Sequence, residues 1–133
     1  MERLRARLAG EQGEAVIEGL FALGLVLLVV AVAGQALAYA HARSVAIAAA
    51  QDGARAAAAG GTEAGITRAS AILGAAGDTG NGLRATARED GDEVTVSVEG
   101  QAPRLFSLPL LLPSVRASAS LPLERYPAAE AAP

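Results

Sequence analysis

The sequence predicts an α+β protein with a long N-terminal transmembrane helix continuing outside the membrane, a second short helix and a small three-stranded antiparallel sheet. Three observations carry this. Gly19 to Ala40 contains no Asp, Glu, Lys or Arg, an Ala-rich stretch without Pro follows directly, and from Leu83 the apolar repeat changes to period two.

The first element rests on length. At about 1.5 Å per residue Gly19 to Ala40 extends about 33 Å, enough for the hydrocarbon core of a bilayer. The competing reading, a buried core helix, needs apolar mass on all sides, and 133 residues with two Phe, two Tyr and no Trp supply little of it. Glu18 stands at the mouth of this run. A carboxylate there is costly to desolvate, so it is a functional-site candidate unless it reaches the headgroup region or a partner charge.

Flanking charge predicts the orientation. Arg3, Arg5 and Arg7 precede the span, whereas His41 and Arg43 lie close behind it, so the short N-terminus is expected in the cytoplasm and the remainder outside. The expected organisation is a leader at 1–13, a transmembrane helix at 14–42, an extracytoplasmic helix and small α+β domain at 43–125, and a disordered tail at 126–133.

Helical character continues past the span. AHARSVAIAAAQDGARAAAA, residues 40–59, is rich in the best helix former and lacks Pro. Ser44, Gln51, Asp52 and Arg55 fall mainly on one side at helical spacing, leaving Val45, Ala49 and Ala56 for packing. The first helix is therefore expected from about Ala15 to Ala59, stopping at Gly60 and Gly61. Thr62 as N-cap and Glu63 in the first turn open a second helix to Ala76, with Ile66, Ala69, Ile72 and Leu73 inward.

The Gly-rich GDTGNG then breaks the pattern. It lacks the Lys and Ser/Thr of a phosphate-binding P-loop, so it reads as an ordinary loop.

LRATARE and DEVTVSVE flank Asp90-Gly91, which predicts a two-residue type I′ hairpin. That register sets Ala87 opposite Val94, Ala85 opposite Val96 and Leu83 opposite Val98, with Arg88 meeting Glu93 on the other face. VRASASL, residues 115–121, adds a third strand with Val115, Ala117, Ala119 and Leu121 on one side. PRLFSLPLLLP, residues 103–113, is too short and Pro-broken for a second span. It reads as a loop over the edge of the core, ahead of a partner-binding patch.

Composition narrows the chemistry. Net charge is −3 and the part after the span is mildly acidic, which argues against nucleic acid as a partner. Cysteine is absent, excluding disulfides and thiolate metal sites. All eleven basic residues are Arg, a mark of a GC-rich bacterial genome with no mechanism attached.

With one His, no Cys and Ser mostly on an exposed strand face, no catalytic constellation is legible, so no enzyme activity and no cofactor are expected. His41 is an interface side chain rather than a ligand set. Glu89, Asp90, Asp92 and Glu93 lack the spaced ligands of an EF-hand and read as a solvated hairpin tip. Gly34, Ala38 and Ala42 recur every four residues, a spacing that lets another helix approach, though ordinary Ala-rich composition produces it too.

At GEAVIEGLFALGL, residues 13–25, the chain resembles the class III leader and N-terminal helix of type IV pilin-like proteins. In that superfamily a prepilin peptidase cuts after a glycine and a glutamate follows at the fifth mature position. Gly13 and Glu18 match both, whereas cutting after Gly10 would place Ala15 there. Within the superfamily the chain is most similar to TadE-like minor pilins, or pseudopilins, of tight-adherence (Flp-type) pilus systems. QDGARAAAAGG, VTVSV and ASASLPLER support this.

The resemblance implies removal of 1–13 and Glu14 as the mature N-terminus. It implies as partners the prepilin peptidase, other pilins and minor pilins, an inner-membrane assembly platform and membrane lipid. Glu18 would then neutralise the new ammonium group inside an apolar bundle, on its own or a neighbouring subunit. Glu14 departs from the bulky apolar first residue common in true type IV pilins and adds a second acid one helical turn from Glu18.

Three functions are therefore weighed. The first is a non-enzymatic minor pilin or pseudopilin of the bacterial cytoplasmic membrane that initiates, caps or anchors a pilus. The second is an uncleaved single-pass signal-anchor protein of another envelope complex. The third is a secreted protein cut after Ala36-Leu37-Ala38.

Overall fold

The computed structural model of the chain describes residues 2–106 and 114–123, with side chains from residue 13 onward. The tail expected at 126–133 and most of the Pro/Leu-rich segment, 107–113, lie outside the described residues. In chain order the elements are α1 (Glu2–Ala75), α2 (Asp78–Asn81), β1 (Leu83–Asp90), β2 (Glu93–Gly100) and β3 (Val115–Pro122). The α+β class is as the sequence predicts.

The long helix α1 breaks at Gly61, where φ is 84° and ψ is 174°. That backbone region is open essentially to glycine alone, so the sequence stop at Gly60-Gly61 becomes a true break between two helical arms. The second arm ends at Ala75, close to the expected Ala76. GDTGNG is not wholly loop: Asp78–Asn81 form a single helical turn. Its formation is local, because Gly80 N–H and Asn81 N–H both donate to the Gly77 carbonyl, at 2.9 and 3.0 Å, and Gly77 supplies the positive φ of 59° that starts the turn.

Two compact units divide the chain, 1–36 and 37–133. In the first, every described side chain from Gly13 to Val30 is exposed. Twelve large apolar residues between Val16 and Val32 are among them, with Phe21 the most open at 77%. A buried aliphatic side chain is worth about 1.5–3 kcal/mol. Even at half that value, twelve of them left in water forgo about 9–18 kcal/mol, as much as the whole stability of an ordinary domain, about 5–15 kcal/mol. The helix is long and apolar enough to cross a membrane, and none of its most apolar window is buried.

The second unit is built on its own small core. Val94, Val96, Val98 and Val115 are fully buried on one face of the sheet, and Ala42, Ala46, Ala49, Ala50, Ala54, Ala57, Ala69 and Leu73 from the two arms of α1 join them. Ile66, expected inward, is exposed, and Gly65 is buried at that turn instead. The reason is steric. A Cβ at Gly65 would stand 2.6 Å from Ala57 Cβ, so the arms come too close for any larger residue to face in. Val45 and Ala56 are half-buried rather than central, and Ala49 is in the core as expected.

The sheet order is β1-β2-β3, both pairs antiparallel. Its faces are as the alternation predicts, but the hairpin register differs by two residues. Ala87 pairs with Val96, Ala85 with Val98, Leu83 with Gly100, and Arg88 meets Thr95, not Glu93. The two-residue loop is Gly91-Asp92 rather than Asp90-Gly91.

Backbone sign decides between these turns. A type I′ turn at Asp90-Gly91 needs positive φ at Asp90, yet among the described residues only glycines adopt one. Moving the loop one position puts the single positive φ, 64°, on Gly91, which is the sign pattern of type II′. The Leu123 amide donating to Asp92 C=O at 2.7 Å ties this loop to the end of β3.

Candidate functional site

The apolar arm of α1 brings the predicted residues into one continuous helix. Gly13, Glu14 and Glu18 all lie within it, and all are exposed. Glu14 and Glu18 are four residues apart, so they share a face about 6 Å apart along the axis. A Cβ at Gly13 would meet nothing within 4 Å, so a side chain at that position would project into open space. Among the described residues neither Glu14 nor Glu18 forms an ion pair.

The small-residue stripe is divided. Gly34 and Ala38 are half-buried, whereas Ala42 is fully buried in the core of the second unit. Ala42 is thus committed to its own domain and unavailable to another helix. Tyr39 also packs against that core. Large exposed apolar side chains run from Val16 to Val32, and Leu37 is exposed as well.

His41 is exposed, and no group of three metal-ligating side chains occurs among the described residues. The hairpin tip Glu89, Asp90, Asp92 and Glu93 is exposed throughout, the solvated arrangement expected of it.

Two features were not legible beforehand. Asp52 accepts from Arg55 at 2.6 Å and from Arg68 at 3.2 Å, linking the arms on either side of Gly61. The open face of the sheet also sets Arg84, Glu99 and Arg116 in one row across the three strands. Arg116 Nε lies 3.8 Å from Glu99 Oε2. Below that row Thr86 and Ser97 are opposite, and Thr95 Oγ1 and Ser120 Oγ are 2.7 Å apart. With Thr86, Gln101 and Ser114 the charged row lines an open cleft of about 420 Å³. The alternation of Arg and Ser/Thr was visible in the sequence, but the pairing that groups these charges depends on the corrected register.

Geometry defines a class: a chain with one membrane-length apolar helix joined to a small α+β domain. The chain matches no protein-family model, and no curated protein or solved structure matches it significantly.

Proposed function

We propose that this chain is a non-enzymatic, TadE-like minor pilin or pseudopilin. It acts in the assembly, initiation or anchoring of a tight-adherence (Flp/type IVc) pilus. A prepilin peptidase cuts it after Gly13, and the mature chain sits in the bacterial cytoplasmic membrane with its C-terminal domain outside. The carrying observation is the placement of Gly13 and Glu18 at the mouth of an apolar helix whose side chains stay exposed to Val30. Supporting it, the two arms of α1, on either side of the break at Gly61, supply more than half of the buried core residues of the second unit.

Chemically, the reading gives each feature a task. An exposed glycine leaves the Gly13-Glu14 bond accessible to a protease at the membrane face. Cleavage creates an ammonium at Glu14 that needs a counter-charge in an apolar bundle, and Glu18 is the carboxylate one turn away. Exposed aliphatic side chains contact lipid before assembly and the helices of other pilins after it.

N-terminal sequencing of protein extracted from membranes that contain a prepilin peptidase tests this. The expected mature chain begins at Glu14. Retention of 1–13 would overturn processing and favour the signal-anchor reading. A chain beginning at Tyr39 would make it a secreted protein.

A further inference from the structure

The open face of the sheet carries its charges unevenly. At one end Arg84 and Arg116 are the cross-strand neighbours of a single carboxylate, Glu99. The Arg116–Glu99 contact is long at 3.8 Å, and the two side chains are 72% and 59% exposed. Most of their hydrogen-bonding capacity therefore faces the cleft. Arg84 forms no ion pair among the described residues.

At the other end of the same face Asp90 is directly opposite Glu93. Like charges paired in this way destabilise a hairpin. Both side chains are exposed, and neither is ion-paired among the described residues. Glu89 and Asp92 add two more acids to that tip. The open face thus carries two arginines with one carboxylate, Glu99, at one end, and two carboxylates, Asp90 and Glu93, with one arginine, Arg88, at the other, while Glu89 is on the core side of the sheet and Asp92 in the turn.

We propose that the acidic hairpin tip of one copy docks into the Arg84/Arg116 cleft of a second copy. Guanidinium forks match carboxylates in planar, two-point geometry, and two carboxylates from Asp90 and Glu93 suit two arginines. The tip cannot reach its own cleft. Both belong to the β1-β2 hairpin, at opposite ends, about 20 Å apart at 3.3 Å per residue. The contact is therefore between copies, and it is heterologous: each copy offers a tip and a cleft, so the interaction repeats without closing on itself. It needs no cleavage after Gly13, so it stands or falls separately from the proposed processing.

The test uses the full-length chain inserted singly in lipid nanodiscs, with energy transfer between differently labelled discs as the readout. Wild-type discs are expected to associate at low salt, with affinity falling about tenfold at high salt as exposed ion pairs are screened. Arg84→Glu with Arg116→Glu, and separately Asp90→Arg with Glu93→Arg, should each abolish association. Mixing the two variants should restore it, which also shows that both remain folded. Absence of wild-type association would overturn the proposal, as would either reversal leaving association intact, or a mixture no better than its components.

Discussion

Gly53 and Gly65 face one another where the two arms of α1 cross: a Cβ on Gly65 would stand 2.9 Å from the Gly53 carbonyl oxygen, and one on Gly53 would stand 3.1 Å from that of Gly65. The approach is set by glycine on both sides. Gly65→Ala should therefore lose about 1–3 kcal/mol by overpacking. Gly74→Ala, in the same arm with nothing within 4 Å of the new Cβ, should gain about 0.4–1 kcal/mol through the unfolded chain. Thermal unfolding of both variants in detergent, followed by circular dichroism, checks the pair. Equal melting temperatures would refute the close crossing.

Gly61 holds the break between those arms at φ 84°, ψ 174°. An L-residue there is strained by about 1–3 kcal/mol. Gly61→Ala should destabilise the domain by that amount although its Cβ would meet no atom within 4 Å, which separates backbone strain from crowding. A variant as stable as the parent would mean that the arms join differently.

The hairpin register is open to a direct chemical test, because the chain contains no cysteine. Arg88 lies opposite Thr95, and Glu93 is two residues earlier in β2. Directly opposed residues meet the Cα separation a disulfide needs, about 4.4–6.8 Å, whereas diagonal ones stand about 7–8 Å apart. The double variant Arg88→Cys/Thr95→Cys should oxidise intramolecularly, and Arg88→Cys/Glu93→Cys should remain largely reduced. Thiol titration after mild oxidation distinguishes them, and the reverse pattern would restore the Asp90-Gly91 turn.

That register shows where sequence reasoning stops. Period-two alternation assigns Val94, Val96 and Val98 to the buried face, and any shift by two residues preserves the assignment. Only the backbone sign at Asp90 and Gly91 separates the two registers, and hydropathy carries no trace of it. The stop at Gly61 was legible because glycine is itself the signal. Ile66 was misplaced for the opposite reason: hydrophobicity points inward, but the closeness of Ala57 admits only Gly65. The same limit applies to alanine, since composition treats Ala42 like the exposed alanines before it, Ala33 and Ala36, while the fold places it in the core.

Asp52 bridges the arms through Arg68 and also pairs with Arg55 on its own arm, the two arginine side chains being 56% and 68% exposed. Screening by water keeps such pairs weak. A double-mutant cycle on Asp52→Asn and Arg68→Gln should return a coupling below about 1 kcal/mol. A larger coupling in urea unfolding would make this ion pair, rather than the glycine crossing, the main clamp between the arms.

Glu18 lies on uninterrupted helix, exposed, four residues after Glu14. Replacing it with Ala raises helix propensity and removes a charge from the edge of the apolar run, so insertion should be retained. On the proposed function the loss falls elsewhere: the ammonium created at Glu14 lacks its counter-charge when helices pack together. Glu18→Ala should therefore resist extraction from membranes like the parent yet co-purify poorly with partner pilins. Gly13→Ala should instead block cleavage and leave 1–13 attached, as read by intact mass. The two variants fail at different steps, which separates processing from assembly. Normal co-purification of the Glu18 variant would reduce that carboxylate to a side chain reaching for the headgroups.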